Sequence, residues 1–255
     1  ISGFVFFAPA PHSLFAADIP WAPGGGVDKI KVTGDCTWDW VGDELVIKWL
    51  SGTGTMELPQ KVQMRALVVG GGGSGGTQAG GRVTTNPGGG GGGGQVVALP
   101  QGDNDAGTYE ITVGAGGAQQ TTASRPGNNG LPSSISFGGV EKAKALGGGG
   151  GGFNAAGNGG TTVATGGGGS GGVRPNGYPG GVGALGNDHR GGASIYNQYS
   201  GGGGGAGGAG VDAVSLKAGN GGCGCTNDIT GVALGYGGGG GGGPSGSTLG
   251  ARDGG

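Results

Sequence analysis

Charge is scarce in this chain: 13 Lys and Arg and 15 Asp and Glu among 255 residues, a formal net charge of −2. The basic residues are scattered, so the electrostatic footprint that nucleic acid or an anionic membrane surface requires is missing. Cysteine is scarcer still. Cys36, Cys223 and Cys225 are too few for a disulfide framework, and too few for a zinc site without helpers. At most one bridge forms within the chain. Cys36 joined to Cys223 or Cys225 would close a long loop and contribute about 3 to 5 kcal/mol; the alternative is that no bridge forms. No run of 18 apolar residues exists, which excludes a membrane-spanning helix. Two histidines leave little for acid–base or metal chemistry, and no segment carries a helical period with caps.

What the chain has in excess is glycine, 79 residues, with 12 prolines. Collagen needs Gly at every third position with abundant Pro, whereas here Gly comes in blocks. Simple disorder goes with high charge and few aromatic or β-branched residues; this chain has 11% charged residues and segments with strand patterning. The composition breaks at one place: only 8 of the 79 glycines precede Gly70.

Residues 1–23 are apolar and aromatic (Phe4, Phe6, Phe7, Phe15, Trp21), are interrupted by Pro9, Pro11 and Pro20, and lead into Gly24, Gly25 and Gly26. The prolines exclude a long helix, and the lack of a basic n-region argues against an intact signal peptide. So greasy a stretch is expected to bury itself, either in its own domain or as an added strand in a neighbouring copy. Alternation then marks strands at 27–32, 44–50 and 62–69, separated by turn clusters at Gly34-Asp35, Gly42-Asp43 and 51–54. Further strands fall at 95–99, 108–113, 134–137 and 140–146. Short strands with frequent turns indicate an antiparallel β-sandwich or barrel.

Beyond residue 146 the chain is glycine blocks joined by short inserts. Gly loses more backbone entropy on ordering than any other residue and has no side chain to bury, so an isolated block stays disordered. Blocks lying side by side as polyglycine II helices, with three residues per turn and about 3.1 Å rise, approach closely and bond their N–H and C=O groups outward to neighbours. The fold class expected is therefore all-β: a sandwich of 27–146 carrying the first blocks, a polyglycine II lobe over 147–255, and an assembly segment over 1–26.

The run Trp49-Leu50-Ser51-Gly52-Thr53-Gly54-Thr55-Met56-Glu57-Leu58-Pro59, followed by Val62 to Gly73, resembles the opening of the glycine-rich domain of phage tail fibres and some secreted proteins. Later pieces follow in the same order: Gln95-Val96-Val97, Tyr109-Glu110-Ile111-Thr112-Val113-Gly114, Ser133-Ser134-Ile135-Ser136-Phe137-Gly138, and the block 147–152. The resemblance spans about residues 44 to 243. It implies a β-sandwich with a glycine-rich lobe in structural or adhesive fibre proteins, some of them tail-fibre adhesins whose polyglycine II loops carry receptor specificity.

Several spellings imitate chemistry. Residues 66–76 satisfy a strand followed by G-x-G-x-x-G, but the next residues cannot supply the helix that places a pyrophosphate. The pattern G-x-S-x-G occurs at 72–76 and 168–172, again with no following helix. Asp103-Asn104-Asp105-Ala106-Gly107 has the oxygen-rich look of a calcium loop without the distant Glu, and reads as a polar hairpin turn. No catalytic, cofactor or metal residue is assigned. Among the inserts, Tyr178, His189, Arg190, Tyr196, Asn197 and Tyr199 are candidate ligand contacts, while Tyr236 reads as a seal on the side of the stack. The sequence points to a non-enzymatic, self-associating fibre subunit, extracellular or on a virion surface, whose partners are other copies of itself. The alternative is a tail-fibre tip adhesin recognising a host-surface glycan or outer-membrane protein.

Overall fold

The computed structural model describes residues 2–6, 14–20, 29–77, 87–157, 159, 162–169, 177–195, 199–215 and 217–244. The fold is all-β. The strands of the main sheet are β1 (Ser2–Phe6), β2 (Leu14–Pro20), β3 (Lys29–Val41), β4 (Glu44–Leu58), β5 (Val62–Val69), β6 (Val96–Asn104), β7 (Gly107–Val113), β8 (Ser133–Phe137) and β9 (Val140–Ala145). A small hairpin, β10 (Cys225–Asn227) and β11 (Leu234–Tyr236), follows late in the chain. The only helical element among the described residues is a 3-10 turn at Asn187–His189.

One continuous sheet closes into two layers because its longest hairpin, β3–β4, bends. The first half of β4 pairs with β1 through Leu45 to Lys48, and the second half pairs with β7 through Gly52 to Leu58. Register shifts near Thr33, Asp35 and Cys36 mark the bend on β3. Gly34 (φ +96) and Gly54 make it possible: a Cβ on Gly34 would stand 2.6 Å from the Thr53 carbonyl oxygen, and one on Gly54 would fall on the Thr33 carbonyl and the Trp49 ring. Trp49, fully buried, locks the corner by donating its indole N–H to the Thr33 carbonyl at 2.9 Å. Gly34-Asp35 and 51–54 look like loop punctuation in the sequence, yet they are corners inside two unbroken strands.

Alternate side chains of both layers fill one core. Leu45, Ile47 and Trp49 of β4 lie with Met64, Ala66 and Val68 of β5, facing Val32, Met56, Tyr109, Ile111 and Ile135. The layers are joined at one end by two short arches, at 59–61 and at 105–106. The second is not the hairpin turn the sequence suggests, because β6 pairs with β5 whereas β7 pairs with β4 and β8. Asp103 in this region is paired with Lys61 at 2.9 Å, and no metal-holding group of His, Cys, Asp or Glu exists among the described residues. A second departure is β1: it lies between β4 and β5 and runs parallel to both, in an otherwise antiparallel sheet. The apolar first segment thus supplies a strand within its own sheet. Phe4, Phe6 and Phe15 occupy strand positions in β1 and β2, while Phe7 and Trp21 lie outside the described residues.

At the end opposite the arches, β5, β6, β7, β8 and β9 all pass directly into glycine-rich segments. Strand register carries straight across the boundary. Val69 pairs with Val96, and beyond them Gly70, Gly73 and Gly76 donate to the carbonyls of Gln95, Gly92 and Gly89 at 2.9, 2.8 and 3.0 Å. The period of pairing changes from two to three at the point where side chains stop.

Candidate functional site: the glycine array and its two ends

A period of three governs the hydrogen bonds of the glycine segments beyond the sheet. In residues 70–77 the first, fourth and seventh positions bond residues 89–95. The second, fifth and eighth, Gly71, Ser74 and Thr77, donate to Leu131, Asn128 and Arg125 at 3.0, 2.9 and 2.9 Å. The carbonyls of Gly71 and Ser74 accept from Gly148 and Gly151, both at 2.9 Å, and that of Gly72 accepts from Gly117 at 2.8 Å. Each position of the three-residue repeat therefore serves a different neighbour. Residues 200–206 are bonded on all sides, to residues 90–93, 166–169, 192, 211, 219–222 and 237–243. In cross-section the segments form staggered rows. Residues 114–118, 70–77, 88–95, 200–206 and 210–213 make the middle row; 127–131, 147–152, 165–169 and 189–194 lie on one side of it, and 219–223 with 237–243 on the other.

Glycine is obligatory in most of this array. A Cβ on Gly148 would fall on the Gly92 carbonyl, one on Gly203 on the Gly91 carbonyl, and one on Gly168 on the Gly201 carbonyl. The few side chains present are put to use. The Ser74 hydroxyl accepts from the Asn128 N–H at 2.9 Å, so the Ser of the G-x-S-x-G spelling at 72–76 is a brace between segments. The Thr165 hydroxyl donates to the Gly93 carbonyl at 2.6 Å.

The array has a sandwich end and a far end. At the sandwich end, the β10–β11 hairpin folds back so that Ile229 and Tyr236 cover Val46 and Leu67 on the outer face of β4 and β5. Arg65 ties the hairpin down by reaching Glu44 at 3.1 Å and Asp228 at 3.5 Å. The sequence reads Tyr236 as a seal on the side of the glycine stack; the structure packs it on the sheet, over Val46 and Leu67. A cavity of about 530 Å³ lies at the junction, lined by residues 50–52, 69–72, 113–116 and 235–237.

The candidate contact residues divide between the two ends. His189 and Arg190 are near the sandwich: Gly166 donates to the His189 carbonyl, Gly204 to Gly166, and Gly93, two residues before Gln95, to Gly204. Arg190 is engaged by Asp212 through two bonds of 2.9 and 3.2 Å and donates to the Gly191 carbonyl. Asp212 also accepts the Ala193 N–H at 2.7 Å. The bond from Arg190, aided by that amide, holds the Asp212 carboxyl below the usual carboxylate range. Tyr178 belongs to the far end, where Ser194 bonds both its N–H and its carbonyl. Tyr199 is there too but is turned inward, 5% exposed and packed with Ile195, Ala213 and Ala218; it is a plug and not a contact residue. Tyr196 and Asn197 lie outside the described residues.

The cysteines are not brought together. Cys36 is buried in the sandwich core, where desolvation, and then the charge of Asp35, pushes its thiol pKa up. Cys223, in the array, is exposed, Cys225, at the start of β10, is half-buried, and no disulfide joins the three.

Residues 49–255 match the family model of a glycine-rich domain. The chain belongs to that family. The match begins at Trp49, the residue that locks the β4 corner, so β1, β2, β3 and the first part of β4 precede it. No curated protein and no solved structure matches the chain.

Proposed function

We propose that this glycine-rich domain protein is a non-enzymatic structural component, a self-associating subunit of a fibre displayed outside the cell or on a virion. In this reading the lobe is a polyglycine II stack. The observation that carries it is the three-residue hydrogen-bond period running through the glycine segments of the array. Such a body is held by main-chain bonds in three directions, so it is stiff without needing bulk. Electron microscopy of the purified chain tests it: rods or filaments of uniform width are expected, and isolated globular particles at every concentration would refute it.

A second reading, a receptor-binding fibre tip, is favoured by a separate observation. Thr77 and Pro87, Gly169 and Gly177, and Ile195 and Tyr199, the described residues on either side of 78–86, 170–176 and 196–198, all lie at the far end. The Ser200 hydroxyl donates to the Pro87 carbonyl at 2.6 Å, binding two of these flanks together. An array built this way would present inserts to a host-surface glycan or protein while leaving its own bonding untouched. Exchange of residues 170–176 with a different sequence is expected to change which cells are bound, with no change in thermal stability.

A further inference from the structure

Among the described residues, the row that contains residues 219–223 and 237–243 is half filled. Residues 200–206 have a neighbour on every side, but residues 88–95 have five, with an open lane between 70–77 and 237–243. Beside it, next to 114–118, runs a second open lane. Bonds are correspondingly missing. Among the described residues, the amides of Gly88, Gly91 and Gly94 donate to no acceptor and the carbonyls of Gly70, Gly73 and Gly76 accept from no donor, although Gly91 and Gly94 are buried. All six stand at the three-residue spacing used elsewhere in the array. Buried amides without partners are rare in folded proteins, so an evenly spaced series of them marks a place prepared for a bonding occupant.

Glycine usage points the same way. Nearly every glycine of the array is forced by a neighbouring carbonyl, but a Cβ on Gly72 would clear its nearest neighbour by 3.6 Å, on Gly75 by 3.4 Å and on Gly116 by 3.5 Å. Nothing among the described residues demands glycine there, and glycine is the costliest residue to order. These three border the open lanes. A side-chain-free surface with unmet main-chain donors and acceptors is the surface of a glycine array that has not ended.

We propose that the open lane receives a glycine segment from a second copy of this chain, and that the segment is 237–243. Those seven residues are all glycine, and they form one side of the same step, with Gly238 exposed. Two filled positions beside two open ones make the step self-complementary. A twofold axis sets 237–243 of each copy into the lane of the other, an isologous contact. The donors at 88, 91 and 94 and the acceptors at 70, 73 and 76 are then met by main chain. This rests on the self-association proposed above and says which surface carries it.

The test is sedimentation of the full chain over a wide concentration range, with Gly75→Val and Gly72→Ala compared with the parent. Both variants are expected to keep the parent's thermal unfolding, because their new atoms enter the lane and not the array. The association constant of Gly75→Val is expected to fall at least tenfold. Hydrogen exchange at residues 88, 91 and 94 is expected to slow on association. Association that survives in both variants with exchange at these amides unchanged would overturn the lane while leaving self-association standing. A parent chain that stays monomeric throughout would overturn both. Amides at 88, 91 and 94 already protected in the dilute monomer would show that the lane is filled from within the chain, which also overturns the proposal.

Discussion

Single glycines in this chain differ widely in what they are for, and the difference is measurable. At the β3–β4 corner, Gly54 faces the Thr33 carbonyl and the Trp49 ring, and any side chain there displaces the bond from Trp49 to Thr33. Gly54→Val is expected to cost about 3 kcal/mol in chemical denaturation through overpacking. Gly235 has nothing near its missing Cβ, and Gly235→Ala is expected to change stability by no more than about 0.5 kcal/mol. Charged residues give a different readout. Because Asp212 has a folded-state pKa below its unfolded one, near 3.9, its stabilisation is complete above that value and is lost as pH falls through the folded pKa. Melting curves from pH 7 to pH 2 should show this acid loss in the parent. Asp212→Asn should lack that component and start less stable at neutral pH, by about 1 kcal/mol or less for a partly exposed pair.

At the scale of elements, the array obeys a simple balance. Ordering one residue costs about 1 to 2 kcal/mol of backbone entropy, and one hydrogen bond returns about 1 kcal/mol net. A lone glycine segment therefore does not form, and one surrounded by bonded neighbours does. Gly148→Val places its side chain on the Gly92 carbonyl; loss of slow hydrogen exchange across residues 88–95 and 147–152 is expected, with the sandwich strands retained. Part of the fold was legible in the sequence: alternation in 62–69 and 108–113 marked β5 and β7. The β3–β4 corner was illegible because Gly34 and Gly52 carry the composition of turns, and only the pairing across them shows continuous strands. The parallel placement of β1 was equally hidden, since an apolar run does not state the direction of its neighbours. Tyr199 and Tyr178 read alike in sequence; burial separates them.

For the whole molecule, pairing runs without a break from sandwich into array, and the β10–β11 hairpin clasps both. Unfolding is expected to be a single transition, with glycine amides at 73, 92 and 149 exchanging no faster than those of β5; two separated calorimetric peaks would contradict this.

The direct passage of five strands into the array has a mechanical consequence. A pull applied at the far end and resisted at the sandwich runs along the segments, whereas their hydrogen bonds lie across them. The load arrives in shear and is divided among many bonds at once, instead of opening them one by one as in a zipper, so failure would require whole rows to slip together.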